Sequence, residues 1–597
     1  MRKYAVVALI ALGALAGLGG LAGQQNPEDA KFAKSFDSYF DSYWKFYPTA
    51  ATLAGFYKYN DKLEDFSEST IDKYLGGMDK VNAELVNKIA KDKLSPEKQI
   101  DLDMLRDWLD TDQLKLERIV PQQLNPLFYN EIILHSIRGL LVKDFAPLDA
   151  RLKSAAERAK ALPGFLKTAK ENFTPKEANA AKPPKEYTDA AIKQYPAILD
   201  FYKTDLPKLI EPGGAEAKAK FLAELAKAMP AIEDFGRFLQ GDLLARSTGN
   251  FRLGEAHQRL IQLTIGGSIM LNELGARVKA DTTNLRNEML KNCFAYYKLM
   301  DPEFDIENPP ANLPKEQQIA KVITHVLNRI KGFQQPTKTE WLPRIKAAAE
   351  DLQGFIAKKG LFDVPAELPA IEVMPNFMRS DQLTELAFPA PYDPNGKFTL
   401  FINPYPETLA DDKAQSFMDE FTNYLIPVWT AQRIFPGNYT PAAATWKNSS
   451  LIQKLSPNRA IIAGWPLYAQ DMFIFAGYNN YDLKQRLMEL KLKLRALVNF
   501  QIDISVHEGS TTTKESAMRL MTNTGFVTEA EAEREWNMIV THPLEAAYAY
   551  IGYQEILDME KDYKAAKGAA FSQKEFLTKL TSFGSLPLRV LKTKLIQ

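Results

Sequence analysis

Apolar residues recur along most of this chain at steps of three and four, the period that lays one face of a helix against a core. The first such stripe, Phe32, Phe36, Tyr39, Phe40 and Tyr43, is wholly aromatic, and Pro48 closes it. The same spacing predicts helices over 67–89, 95–116, 150–170, 188–206, 215–238, 254–273, 276–298, 314–332 and 337–359. Ser95-Pro96-Glu97 adds an N-cap with proline in the first turn. Near residue 361 the pattern changes. A Pro-rich stretch holds two short extended runs, one ending at Ile371-Glu372-Val373 and one over 398–403, after the turn signal Asp393-Pro394-Asn395-Gly396. Helical spacing then resumes over 411–430, 464–475, 482–507, 514–522, 529–540, 543–565 and 572–582. The clearest is 482–507, with Leu483, Leu487, Leu490, Leu494 and Leu497 on one face and Gly509 as a stop. The expected fold is mainly α, a single large helical domain over 24–597 with a small sheet or hairpin. Two lobes, the second beginning near 361, are the alternative division.

Residues 1–23 stand outside this pattern. Arg2 and Lys3 precede an apolar and small-residue run to Leu21, and Ala22-Gly23 precede polar Gln24-Gln25-Asn26. That is the layout of a signal peptide cleaved near Gln24. The run is Ala- and Gly-rich and near the short limit for spanning, so a cleaved leader is preferred to an anchoring helix. No cysteine follows Leu21-Ala22-Gly23, which argues against a lipid anchor. The expectation is a periplasmic or secreted protein with no membrane segment in its mature form.

Lys plus Arg (74) equals Asp plus Glu (74), so the net charge gives no reason to expect nucleic acid as a partner. Cys293 is the sole cysteine, which rules out an intramolecular disulfide and a cysteine-based zinc site. Its apolar surroundings predict a buried, inert thiol.

The chain has five histidines. His135 and His325 lie on apolar helix faces and read as hydrogen-bonded core or groove residues. His542, before Pro543, marks a helix junction, and His257 opens a helix where it could equally face solvent. Asp503 and His507, four residues apart, share a helix face. A carboxylate on one ring nitrogen would orient the imidazole and raise the basicity of the other nitrogen. That suits a catalytic or substrate-binding histidine and, equally, a structural pair. His507-Glu508 does not begin a zinc motif: the second histidine would fall at Thr511, and Gly509 interrupts the helix. No phosphate loop or nucleophilic triad stands out.

Several segments carry a family resemblance. They are Phe36-Asp37-Ser38-Tyr39-Phe40-Asp41-Ser42-Tyr43-Trp44 with Pro48–Gly55, Phe251-Arg252-Leu253-Gly254, Gly464-Trp465-Pro466-Leu467-Tyr468-Ala469-Gln470, Asp503–His507, and Ser585-Leu586-Pro587-Leu588. In this order they resemble the bacterial domain of unknown function 885 family, whose members resemble gluzincin-type zinc peptidases. The resemblance implies a zincin-like architecture whose small sheet binds substrate backbone by strand addition. The residues alone leave a plain hairpin cap as an equal alternative. The family's H-E-x-x-P-G-H-H falls on 419–426. It keeps Glu420 as a vestigial general base, puts Asp419 at the first ligand position, and puts Leu425 and Ile426 at the last two. In the segment resembling E-G-W-A-L-Y-x-E, the acidic positions are Ala463 and Gln470, and the family's A-L-S-Y-K-I-G becomes Ala546–Gly552. Catalytic zinc needs three protein ligands and an open position, so zinc is expected in the family and no cofactor is expected here. The first expectation is an inactive exported peptidase homologue that binds peptide or another extended ligand. Glu420, Asp503 and His507 would be the residue of its chemistry, and Trp465, Tyr468, Tyr548 and Tyr550 would line the cleft. Two alternatives stand beside it. One is a hydrolase with a relocated metal or with acid–base work by Glu420 and His507. The other is a structural envelope protein whose cleft is filled by side chains.

Overall fold

The computed structural model describes residues 26–597 apart from 175–179, 301–314, 332–335, 364, 366, 380–382, 394, 405–417, 419–420, 449, 510 and 597. The expected signal peptide and the pair Asp419-Glu420 therefore lie outside the described residues. Helix makes up 76% of the structure, so the fold is mainly α with one small sheet, as the periodicity predicts.

Helix α1 (Pro27–Phe46) opens under Asn26, whose side chain accepts from the Glu28 N–H at 3.0 Å. Its aromatic stripe is buried, with Tyr43 half-buried, and packs on α2 (Pro96–Leu114) through Trp108. The helix ends two residues before Pro48, which opens the next one. With α3 (Pro126–Leu141), α4 (Leu148–Asn172) and α5 (Ala215–Phe238) it surrounds a first hydrophobic core. At the centre of this core Arg158 is fully buried. It donates to the carbonyls of Lys62, Ser136 and Pro48 and to the Thr52 hydroxyl, at 2.6–3.0 Å. The bonds to the Ser136 and Pro48 carbonyls are buried, so the guanidinium there supplies donors that water does not.

A second core runs from Leu260 to Leu595, so helices ahead of residue 361 already belong to it. It gathers α6 (Glu255–Ile265), α7 (Leu271–Met300), α8 (Trp341–Lys359), α9 (Leu425–Arg433), α10 (Arg459–Phe475), α11 (Leu483–His507) and α13 (Glu545–Lys567), while α12 (Glu529–Thr541) packs on α11 through a third, smaller cluster that includes Val498, Ile502, Trp536 and Ile539. Cys293 is buried within it, and burial pushes its thiol up to about 12. Helices α10 and α13 meet backbone to backbone at Gly464 and Gly552. A Cβ on Gly552 would lie 1.7 Å from the Ala460 carbonyl oxygen.

Two predicted helices are corrected. The span 254–273 breaks at Gly266, whose φ of +60° ends α6. The span 411–430 is not helical over 421–424. There the Thr422 hydroxyl accepts from the N–H groups of Tyr424 and Leu425 at 3.3 Å, and α9 starts only at Leu425.

The sheet has strands β1 (Ala370–Val373), β2 (Thr384–Ala387) and β3 (Thr399–Ile402) in the order β1-β3-β2, with β1 parallel and β2 antiparallel to β3. The sequence pattern marks β1 and β3 but not β2. Glu385 stands opposite Phe401, and the Asn403 N–H donates to the Leu383 carbonyl at 2.9 Å. Main-chain groups alternate sides in an antiparallel pair. Glu385 and Ala387 therefore point theirs at β3, and Thr384 and Leu386 point theirs outward, along an edge unpaired among the described residues.

Candidate functional site

A cavity of about 430 Å³, within the ordinary range for a small-ligand site, lies between β2 and helices α9 to α13. Leu383, Thr384, Glu385 and Leu386 all line it, because β2 presents its edge to the cavity rather than one face. Trp429, Ile462, Leu467, Leu492 and Met538 give it apolar walls. Its lining holds four guanidiniums, Arg433, Arg459, Arg495 and Arg534, and three carboxylates, Glu385, Glu535 and Glu545. Arg459 pairs with Glu545 at 2.7 Å. Glu535 bonds both Arg495 and Arg534 and accepts from Asn499 Nδ2 at 2.6 Å, while Glu531 takes the second branch of Arg495 at 2.5 Å. Burial works against the Glu535 carboxylate, but Arg495, Arg534 and Arg433 outweigh it and hold its pKa down to about 2. Arg433 has no bonded carboxylate among the described residues. Burial, then its neighbour Arg495, push its pKa down to about 10.

The aromatic residues expected in the cleft are core residues, and none lines this cavity. Tyr548 shares a hydrogen bond with the Thr264 hydroxyl at 2.8 Å, and Tyr550 donates to Asp281 at 2.7 Å. Tyr468 donates to Glu560 at 2.9 Å, and Trp465 donates to the Pro436 carbonyl at 2.6 Å. The expected Asp503–His507 hydrogen bond is also corrected. Asp503 Oδ1 binds His257 Nε2 at 2.7 Å, whereas His507 Nε2 donates to the Ile539 carbonyl at 3.0 Å. Both carry a shared helix face, but α6 reaches Asp503 from one side and α12 takes the His507 ring from the other. His257 is wholly buried rather than solvent-facing, and the two rings stack 5.1 Å apart.

The two rings differ in their hold on a proton. Burial opposes charge on His257, but its hydrogen bond with Asp503 and then the Glu508 carboxylate, 4.0 Å from Nδ1, prevail and raise its pKa to about 8. Burial lowers the pKa of His507, and the charge on His257 lowers it further. A raised histidine stabilises the fold below its unfolded pKa of about 6.5 and loses that contribution as pH climbs through 8; a lowered one loses its contribution as pH falls below about 6.5. The stability gap between wild type and His257→Asn is therefore expected to shrink by about 2 kcal/mol between pH 6 and pH 9 in urea unfolding. A gap independent of pH would contradict this assignment.

A family model described as a bacterial protein of unknown function (DUF885) matches residues 48–595. The chain belongs to the DUF885 family. Two solved structures share the fold of this DUF885 protein. One is an inferred lipoprotein of unknown function from Shewanella oneidensis, 23% identical with a TM-score of 0.79, over 95% of this chain and 100% of that one. The other is an inferred lipoprotein from Colwellia psychrerythraea, 15% identical with a TM-score of 0.74, over 95% and 98%. No curated protein matches the chain.

Two of the DUF885-like segments meet at the end of α11. Arg252 donates to the carbonyls of Val506 and, at 2.7 Å, Thr512, and the Gly254 N–H donates to the His507 carbonyl at 2.7 Å. Phe251-Arg252-Leu253-Gly254 thereby satisfies carbonyls that a helix C-terminus leaves unpaired. Of the positions that the family resemblance implies for zinc, Asp419 lies outside the described residues and the others offer no ligand set. Leu425 and Ile426 are buried and apolar, and Ala463 lines the cavity without a donor. Gln470 is fully buried, accepts from Gln432 and donates to Glu489 at 3.0 Å. Among the described residues no group of three or more His, Cys, Asp or Glu is placed to hold a metal. Pattern reading missed Arg433, Arg495, Arg534 and Glu535. One sign of them is the polar series Lys491, Arg495, Asn499, Asp503 and His507, spaced by four along a leucine-rich helix.

Proposed function

We propose that this DUF885 protein is exported and binds an extended peptide along β2 without cleaving it. The observation that carries the reading is the edge of β2, whose outward N–H and C=O groups at Thr384 and Leu386 border the cavity. A peptide laid there continues the sheet, each new main-chain hydrogen bond adding about 1 kcal/mol, while the apolar walls receive alternate side chains. An open cavity favours ligand binding over a cleft filled by side chains. His507 lies outside the cavity lining with Nε2 committed to a carbonyl, which weighs against acid–base catalysis by that ring. Leader-like residues 1–23 and the inferred lipoprotein character of the two related structures support export. No described helix is long and apolar enough to cross a membrane.

Equilibrium dialysis against a random hexapeptide pool, read by mass spectrometry, tests the proposal. The wild type should retain apolar-rich peptides intact. Leu386→Pro removes an outward N–H that β3 does not use and should weaken retention at least about tenfold. Unchanged retention by that variant would defeat strand addition. Fragments that accumulate with protein concentration would defeat the non-cleaving reading.

A further inference from the structure

The cation balance of the cavity singles out one residue. Arg459 is matched by Glu545, and Glu385, the remaining carboxylate of the wall, has Glu131, Arg138 and His135 as its charged neighbours. Around Glu535, three guanidiniums (Arg433, Arg495 and Arg534) share two carboxylates, Glu531 and Glu535, and the bonds go to Arg495 and Arg534. Arg433 is left with a single positive charge uncompensated among the described residues. Its helix neighbour Gln432 is committed to Gln470, and His542, also on the wall, shares a hydrogen bond with the Thr541 hydroxyl. Arg433 follows Trp429 by four residues on α9, so both sit on the face that lines the cavity. A guanidinium in a partly dewatered wall is stabilised by a planar anion that takes two parallel N–H bonds.

We propose that Arg433 is the anchor for a carboxylate of the bound peptide, either its C-terminus or an acidic side chain. This rests on the strand-addition reading and adds the chemical class of the ligand. Charge matching selects a carboxylate: one negative charge neutralises the one uncompensated cation. A phosphate dianion would overshoot beside Glu531 and Glu535.

Three acetylated probes test it by calorimetry: Ala-Leu-Ala-Leu with a free C-terminus, the same peptide as its C-terminal amide, and Ala-Glu-Ala-Leu amide. At least one acidic probe should bind wild type about tenfold or more tighter than the uncharged amide. Which acidic probe does so identifies the source of the carboxylate. Arg433→Gln should erase that preference and leave the affinity of the uncharged amide within about twofold. Equal binding of all three probes by wild type, or equal weakening of all three in the variant, overturns the anchor and leaves strand addition standing. No binding of any probe overturns both. The comparison within the wild type decides the matter even if the variant folds poorly.

Discussion

Substituting alanine for Gly552 is expected to destabilise the protein by at least about 3 kcal/mol, the upper end of the cost of overpacking. The same substitution at Gly76 is expected to stabilise it by about 0.5–1 kcal/mol. The two glycines differ in what a methyl group would meet. At Gly552 the added Cβ falls 1.7 Å from the Ala460 carbonyl oxygen and 2.5 Å from its carbon, and Gly464 stands opposite on the same crossing. Those atoms belong to helix backbone and cannot rotate away, so α10 and α13 would have to separate. Their separation would spread: Trp465 packs edge-on against Phe362, and Ala463 and Ala549 line the cavity from the two helices. At Gly76, on an exposed helix face, nothing lies within 4 Å, and alanine simply narrows the unfolded ensemble. Denaturant midpoints of the two variants check this. A Gly552→Ala midpoint no lower than that of wild type would mean the helices do not touch backbone to backbone.

Long helical stripes made most of the fold legible. The span 215–238 reappears as α5 with the same limits, because two dozen residues repeat one period. Strand β2 was not legible. Thr384-Glu385-Leu386-Ala387 is four residues long, lacks apolar alternation and includes glutamate and alanine, which strands disfavour; pairing with β3 makes it a strand. The strand that borders the cavity is thus the one that local pattern does not show. Trp465, Tyr468, Tyr548 and Tyr550 were drawn toward the cleft by their place in family-like segments, yet large aromatics at helical spacing pack inward, and here they do.

Asp503 stood out by its spacing from His507, but its partner His257 is 246 residues distant, and only the packing of α6 on α11 brings them together. The arginine cluster has the same origin. Arg495 lies on the polar side of α11, while Arg433 and Glu535 come from α9 and α12, and no local period records which helices will face each other.

Glu535→Gln is the other change expected to be large, about 3 kcal/mol at pH 7. The carboxylate is buried, bonds Arg495 and Arg534, and accepts from Asn499, and these cations with Arg433 hold its pKa down to about 2 from an ordinary 4.5. A depressed acid contributes stability that is complete above its unfolded pKa and is lost as pH falls through its folded one. Wild type therefore loses this contribution between about pH 4.5 and 2, while glutamine, shaped like the protonated acid, has none to lose. The gap between the two proteins in urea midpoints should fall by more than half between pH 7 and about pH 3. A gap that stays constant would assign the role of Glu535 to hydrogen-bond shape rather than charge. The substitution also leaves Arg433, Arg495 and Arg534 with Glu531 as the one carboxylate bonded within their cluster among the described residues. If Arg433 anchors a carboxylate, the variant that is least stable at neutral pH should prefer acidic peptides more strongly than wild type does, because its cavity lacks one competing negative charge.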